Sequence, residues 1–334
     1  SPAVSPDGCY LLYVHSHQGN DVLALVDTAG ENEPTTLVRG HDFFMQPCWH
    51  PRGNQVAWIA WDHPSMPWDS SALYLGVLTP GQPLPEMASR RIMVGEPCGD
   101  IAVFQPAFSP DGRYLSYASN GNGWFNLHLL DLSSDERTVL VAEEAEHGLA
   151  AWVHGMRTQA WTEDGKSLYF LRSREGFTSL ARFDLQEQTL HEVQGELRNY
   201  TDLTQIASAP QGKLALIASS STTPARILSI SGSGQVHIHR RSIQEEIQDS
   251  YLSCPELLSW PIKTHLSVGV CHGLYYPPSN PEYESRQPPP TIIKIHGGPT
   301  SQYRAGYSVE TQFFTSRGFA VLELNYRGSS GYGR

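Results

Sequence analysis

Residues 291–299 read TIIKIHGGP. A run of β-formers ends in a histidine, two glycines and a proline, and that order can do chemistry. In acyl transfer, negative charge develops on the former carbonyl oxygen, and backbone N–H groups aimed at it stabilise that charge. The loop that supplies them must approach substrate without side chains in the way. Gly297 and Gly298 meet that need, and Pro299 limits the loop's freedom. Losing one such donor typically costs about 2.7–4 kcal/mol of transition-state stabilisation. An HGG sequence is also an ordinary tight turn, so the motif counts only with its surroundings. His296 reads as an orienting or packing residue rather than a catalytic base. In an α/β hydrolase the triad histidine follows the nucleophile and the acid.

The elements around the motif decide what it can be. TIIKIH (291–296) is short and rich in Ile, which suits a strand buried on both faces of a mostly parallel sheet. YSVETQFFTSRG (307–318) predicts a helix, with Ser308 as its cap and Glu310 in the first turn, where the dipole favours negative charge. Val309, Phe313 and Phe314 fall on one face, Arg317 lies in the last turn, and Gly318 can end the helix. FAVLELNY (319–326) is the next strand. Strand, loop, helix, strand is a βαβ unit, whose crossover is right-handed. Before it, 262–268 and 269–276 read as two strands. The stretch 277–290, with six prolines in fourteen residues, is a surface connection.

The first three quarters of the chain repeats. VSPDGCYLLYVHS (4–16), WHPRGNQVAWIAW (49–61), FSPDGRYLSYAS (108–119), WTEDGKSLYFLRS (161–173) and SAPQGKLALIASS (208–220) each place a turn glycine before a strand. Those glycines are Gly8, Gly53, Gly112, Gly165 and Gly212, spaced by 45, 59, 53 and 47 residues. Alternating runs follow each unit, such as 21–28, 71–78, 125–132 and 178–185. Units of about fifty residues with about four short strands describe propeller blades. Five are visible, and the chain opens inside a turn motif, which predicts further blades before residue 1. Trp49, Phe108 and Trp161 start three units and read as blade packing. The pair Glu143-Glu144 reads as a solvated loop, with binding of a peptide amino group as the alternative.

Composition narrows the function. The net charge of −11 without a basic cluster argues against nucleic acid. No run of eighteen apolar residues suggests a membrane span, and the first ten residues lack a signal-peptide pattern. Five cysteines, odd in number and without CxxC, favour reduced thiols in a cytoplasmic protein. Without HExxH, or a GxGxxG opening a helix after a strand, neither metal nor organic cofactor is implied.

IIKIHGGPTSQYR (292–304) and QFFTSRGFAVLELNYRGSSGYGR (312–334) resemble the prolyl oligopeptidase family of serine peptidases. The nearest branch is that of acylaminoacyl-peptidases and dipeptidyl-aminopeptidases, which show HGGP and then NYRGSxGYG. The resemblance runs through 255–334, and before residue 250 it is architectural. It implies an incomplete seven-bladed β-propeller over 1–250, then the opening of an α/β-hydrolase domain over 251–334. It implies hydrolysis of short peptides, a propeller that restricts access to them, and compatibility with homo-oligomers. Gly298 becomes the foremost backbone donor. Asn325, Tyr326, Arg327 and Gly328 match the loop after the fourth hydrolase strand, near the catalytic face. A purely structural role for that loop stays open.

The sequence holds no GxSxG. SGSGQ (231–235) and GSSGYG (328–333) do not fit, so the strained turn that exposes a serine nucleophile has no candidate. The family's Ser, Asp and His are expected after Arg334, in a chain cut at both ends. The 334-residue chain is therefore expected to resist labelling by a fluorophosphonate probe. Two other readings remain: a propeller scaffold or peptide binder with a vestigial hydrolase segment, and an esterase.

Overall fold

The computed structural model describes residues 2–334 apart from 18, 82, 233, 245–246, 264–267, 285 and 299. Five four-stranded sheets span 3–38, 43–95, 103–141, 159–192 and 202–241, each with its strands paired in chain order. These are propeller blades, and their positions match the repeat. By backbone contacts the chain divides into two compact units. One comprises Ser1–Leu168, Phe183–Gln188 and Gly333–Arg334, and the other Tyr169–Arg182 and Thr189–Tyr332.

The repeat has a physical cause. In the SPDG turn of the third blade, Ser109 Oγ donates to Asp111 Oδ1 at 2.5 Å and accepts from the Tyr114 N–H at 2.9 Å. Asp111 also accepts from the Arg113 N–H. The Ser109 bond, with help from that N–H, holds the Asp111 carboxyl below the usual carboxylate range. Gly112 follows at φ 75°, and a β-carbon there would lie 2.3 Å from His50 Nε2 of the preceding blade. That ring nitrogen in turn meets the Gly112 carbonyl at 3.0 Å. Glycine is thus required both by conformation and by space.

The aromatic at the head of a unit reaches back one blade. Trp49 Nε1 donates to the Ala3 carbonyl at 2.9 Å. Phe108 meets His50 edge-on at 5.1 Å, and Trp161 Nε1 donates to the Ala107 carbonyl and to Ser116 Oγ, both at 3.1 Å. Between these seams lie apolar clusters, one around Ile59, Leu73, Phe104 and Leu115, another around Leu12, Leu25, Phe44 and Trp58.

A second device escapes sequence reading. Gln46 and Gln105, in the first strands of the second and third blades, adopt φ of 51° and 56° at breaks in strand register. Gln46 Oε1 accepts from the Gln105 N–H at 2.6 Å, and Gln105 Oε1 accepts from the Thr158 N–H at 2.6 Å. Each bulge side chain thus satisfies the backbone of the next blade.

The sixth sheet is mixed. It comprises β1 (Glu256–Lys263), β2 (Val268–Tyr276), β3 (Thr291–Ile295) and, after helix α1 (Val309–Thr315), β4 (Ala320–Asn325). The order is β1-β2-β4-β3, with β1/β2 and β2/β4 antiparallel and β3/β4 parallel. Strand, loop, helix and parallel strand therefore follow as expected from 291 to 325.

Three expectations need correction. The strand before β2 spans Glu256–Lys263, not 262–268, because Pro261 sits in a strand bonded only to β2, where its missing N–H is tolerated. β3 is not buried on both faces: it lies at the sheet edge, and Ile293 and Ile295 are 59% and 63% exposed. The helix is shorter than 307–318, and its buried face is Thr311, Gln312 and Thr315. Val309 and Phe313 are exposed. Polar residues win this face through hydrogen bonds. Gln312 Oε1 accepts from the Ser253 N–H, and its Nε2 donates to the Ser221 and Ser253 carbonyls, all within 2.9 Å. Ser308 caps the start by accepting from the Thr311 N–H at 3.2 Å. Arg317 lies past the last turn, its guanidinium 3.7 Å above the Phe313 ring.

Among the described residues no helix is long and apolar enough to cross a membrane. All five cysteines are free.

Candidate oxyanion loop

The loop begins where β3 ends. β3 is held parallel to β4, with Ile295 opposite Leu324, so His296 and the two glycines leave the sheet at the carboxyl end of a parallel strand. Ligands bind at such ends in open α/β sheets.

A buried ion pair fixes the strand beneath. Glu323, 3% exposed, accepts from Lys294 Nζ at 3.1 Å and from Thr311 Oγ1 at 2.7 Å. Lys294 also meets the exposed Glu310 at 3.1 Å. Burial alone would lower the Lys294 pKa, but the two carboxylates outweigh it and hold the ammonium above its ordinary value. The pair ties β3, β4 and the first turn of α1 together.

Above it, Tyr326 closes the loop. Its hydroxyl donates to the Gly298 carbonyl at 2.8 Å and lies 3.3 Å from that of His296. The Tyr326 ring stacks on His296 at 4.5 Å, and His296 Nε2 meets Ser329 Oγ at 2.8 Å. His296 is thereby clamped between two residues of the 326–333 loop, a geometry for orienting.

Gly298 stands at φ 62°, and a β-carbon on either glycine would meet nothing within 4 Å. Both residues are exposed. Neither N–H has an acceptor among the described residues. The loop thus offers uncommitted donors facing open space, with the Gly298 carbonyl tied down on the other side. Pro299, singled out above, lies outside the described residues.

Asn325 supports this arrangement and is almost fully buried. Its Oδ1 accepts from the Tyr303 N–H at 2.7 Å, and its Nδ2 donates to the Tyr303 carbonyl at 3.0 Å and to Tyr332 Oη at 2.9 Å. Burial pushes the Tyr332 phenol up to about 12, so the phenol stays neutral. The Ser330 N–H donates to the Ser301 carbonyl at 2.9 Å. The Asn325 side-chain amide and one backbone bond therefore join the segments 300–306 and 325–333. Arg327 is exposed, its stem 3.6 Å from where a Gly269 β-carbon would stand.

The structure thus gathers His296, Gly297, Gly298 and Tyr326 into one cluster. Ser329 and Tyr303 belong to it as well and carry no signal of their own in the sequence. Glu143 lies apart. It bonds His147 Nε2 at 2.8 Å, and its N–H donates to Asn126 Oδ1 at 2.9 Å. Among the described residues no three His, Cys, Asp or Glu side chains gather as for a metal.

No family model matches the chain. It is 25% identical over 174 residues to Uncharacterized peptidase YuxL of Bacillus subtilis (strain 168), covering 52% of this chain and 25% of that protein. It is 26% identical over 267 residues to the Acylamino-acid-releasing enzyme of Arabidopsis thaliana, covering 69% of this chain and 34% of that protein. Among solved structures, a puromycin-hydrolyzing peptidase of Mycobacterium tuberculosis superposes on 100% of this chain, with a TM-score of 0.88 and 26% identity, over 50% of its own length. The chain spans half of that structure, and a quarter to a third of the curated relatives. Five propeller blades, a strand-HGG-helix-strand unit in order β1-β2-β4-β3 and these similarities lead to one conclusion: in sequence and fold the chain is similar to the propeller and the adjoining part of peptidases such as the acylamino-acid-releasing enzymes and puromycin-hydrolyzing peptidases.

Proposed function

We propose that this chain is the propeller (1–250) and the opening of the hydrolase domain (251–334) of a serine peptidase that cleaves short peptides by acyl transfer. The Gly297 and Gly298 N–H groups are its oxyanion donors, with Gly298 foremost. His296 and Tyr326 position that loop, and Arg327 borders it on the substrate side. The observation that carries the reading is the pair of uncommitted N–H groups at the carboxyl end of a parallel strand, pinned from behind by Tyr326. Preorganised donors of this kind lower the barrier because they need no reorientation as charge develops. The free cysteines fit a reducing, cytoplasmic setting.

The test uses the protein expressed with the coding sequence that follows Arg334. The expected product is labelled by a fluorophosphonate probe and cleaves chromogenic N-acyl or free-amine peptide anilides. Gly298→Ala, which sets a methyl group in the open space, lowers kcat about a hundredfold and leaves labelling intact. An extended protein that neither labels nor cleaves, or a natural stop codon after Arg334, refutes the peptidase and leaves the scaffold reading.

A further inference from the structure

The chain carries a net charge of −11, yet one cavity in its second compact unit gathers cations. The cavity encloses about 290 Å³, and Arg172, Arg174 and Arg198 are on its walls. The opposing charge there is the single carboxylate of Glu192. Among the described residues Arg174 and Arg198 have no ion-pair partner, Glu192 included. Arg174 and Arg198 are exposed, so both guanidiniums can take an anion without first displacing a carboxylate.

A second, independent observation lies in the same wall. Thr178 lines the cavity, is only 5% exposed, and its hydroxyl is buried with no hydrogen-bond partner. Buried hydroxyls are almost always satisfied, because leaving one unmade is costly. The lining also includes the apolar Phe177, Leu180 and Leu197. Exposed cations, a spare hydroxyl and apolar wall residues together define the ligand's chemistry.

We propose that this cavity binds a small organic anion, with a carboxylate or phosphate held by Arg174 and Arg198 and an apolar stem of about amino-acid size against Phe177, Leu180 and Leu197. Its volume sits at the lower edge of small-molecule sites, and Arg is the side chain whose planar fork matches both oxyanions. This site is separate from the oxyanion loop and stands whether or not the peptidase reading does.

Isothermal titration of the 334-residue chain with N-acetyl-leucine, with N-acetyl-leucinamide and with inorganic phosphate tests it. The acid is expected to bind at least about ten-fold more tightly than its neutral amide. Phosphate alone tells the two oxyanion sources apart: if it binds as tightly as the acid, the site reads the oxyanion without the stem. Arg174→Ala and Arg198→Ala each weaken binding about ten-fold, while the unliganded melting temperature is unchanged. Thr178→Val, close in volume, weakens binding without lowering that temperature. Absence of heat at about 10 mM of both anions, equal affinity for acid and amide, or affinity that survives both arginine substitutions overturns the proposal.

Discussion

Lys294→Met is the substitution that best separates a stabilising charge pair from a decorative one. Glu323 is 3% exposed, and the Lys294 side chain is 16% exposed with its ammonium 3.1 Å from the carboxylate. At that distance and an effective dielectric constant of about 20, the attraction is roughly 5 kcal/mol before desolvation. Removing one partner of a buried pair strands the other charge, at about 3–5 kcal/mol. The Thr311 hydroxyl still bonds Glu323 at 2.7 Å, so the loss falls at the lower end, about 3 kcal/mol. By contrast Glu310, whose side chain is 64% exposed, contributes at most about 1 kcal/mol, and Glu310→Gln tests that. The double variant Lys294→Met/Glu323→Leu removes both charges and recovers most of the loss, because an apolar pair of similar volume needs no counter-charge. The pH dependence has a definite sign. Lys294 titrates above its ordinary value in the folded state. Its contribution is therefore complete below the unfolded lysine pKa of about 10.4 and disappears as pH rises through the folded value. The deficit of Lys294→Met stays constant from neutral pH to about 9 and shrinks above that. Urea unfolding, read alongside hydrogen exchange of amides in α1 and β4, measures it. A loss under about 1 kcal/mol at neutral pH, or a double variant as unstable as the single one, refutes the reasoning.

Two turn glycines form a matched pair. Gly112→Ala brings a β-carbon within 2.3 Å of His50 at φ 75° and costs about 3 kcal/mol from left-handed strain and overpacking together. Gly212→Ala, at φ 66° with open space around it, costs about 1 kcal/mol; urea midpoints of both variants check the contrast. Gln312→Leu strands the Ser253 N–H and two buried carbonyls and lowers stability by about 3 kcal/mol, although it adds apolar surface to a helix, and thermal melting reads the sign. Glu146 accepts from the Phe125 N–H at 2.7 Å and the Gly333 N–H at 3.1 Å, but burial outweighs both bonds and raises its pKa. The folded state thus holds that proton more tightly than the unfolded one. The site favours folding at low pH and loses this advantage as pH rises through the folded value. Glu146→Gln should therefore gain stability relative to the parent between pH 5 and 7.5, and urea midpoints at those two values decide it.

Much of the fold can be read in the sequence because its signals are local. A turn that needs Asp-Gly announces itself whatever packs around it, so the five blades and their turn glycines were legible one by one. The HGG loop was legible for the same reason: a strand, two glycines and a capped helix are each short-range patterns, and Ser308 caps α1 as its type predicts. The resemblance over 255–334 added the match of Asn325 and Tyr326 to a loop near a catalytic face. It did not supply their contacts.

Tertiary structure decided what depends on partners far along the chain. Helical periodicity points to Val309, Phe313 and Phe314 as the inner face. Phe314 does pack against the cluster of Leu274, Tyr276, Ala305 and Val321, but Val309 and Phe313 are exposed, and Gln312 is buried because its amide meets backbone groups of Ser221 and Ser253, 91 and 59 residues away. Ile293 and Ile295 read as buried on both faces, and within this chain they are exposed because β3 is bonded only to β4. Gln46 and Gln105 look like surface residues, but positive φ at a bulge turns each side chain onto the next blade. Residue type and spacing fixed where the backbone turns and where glycine can free its N–H. Which groups hold those N–H donors still and uncommitted was settled only when Tyr326 and Ser329 folded back onto His296 and Gly298. Hydrogen bonds between distant segments have no period for a sequence to carry.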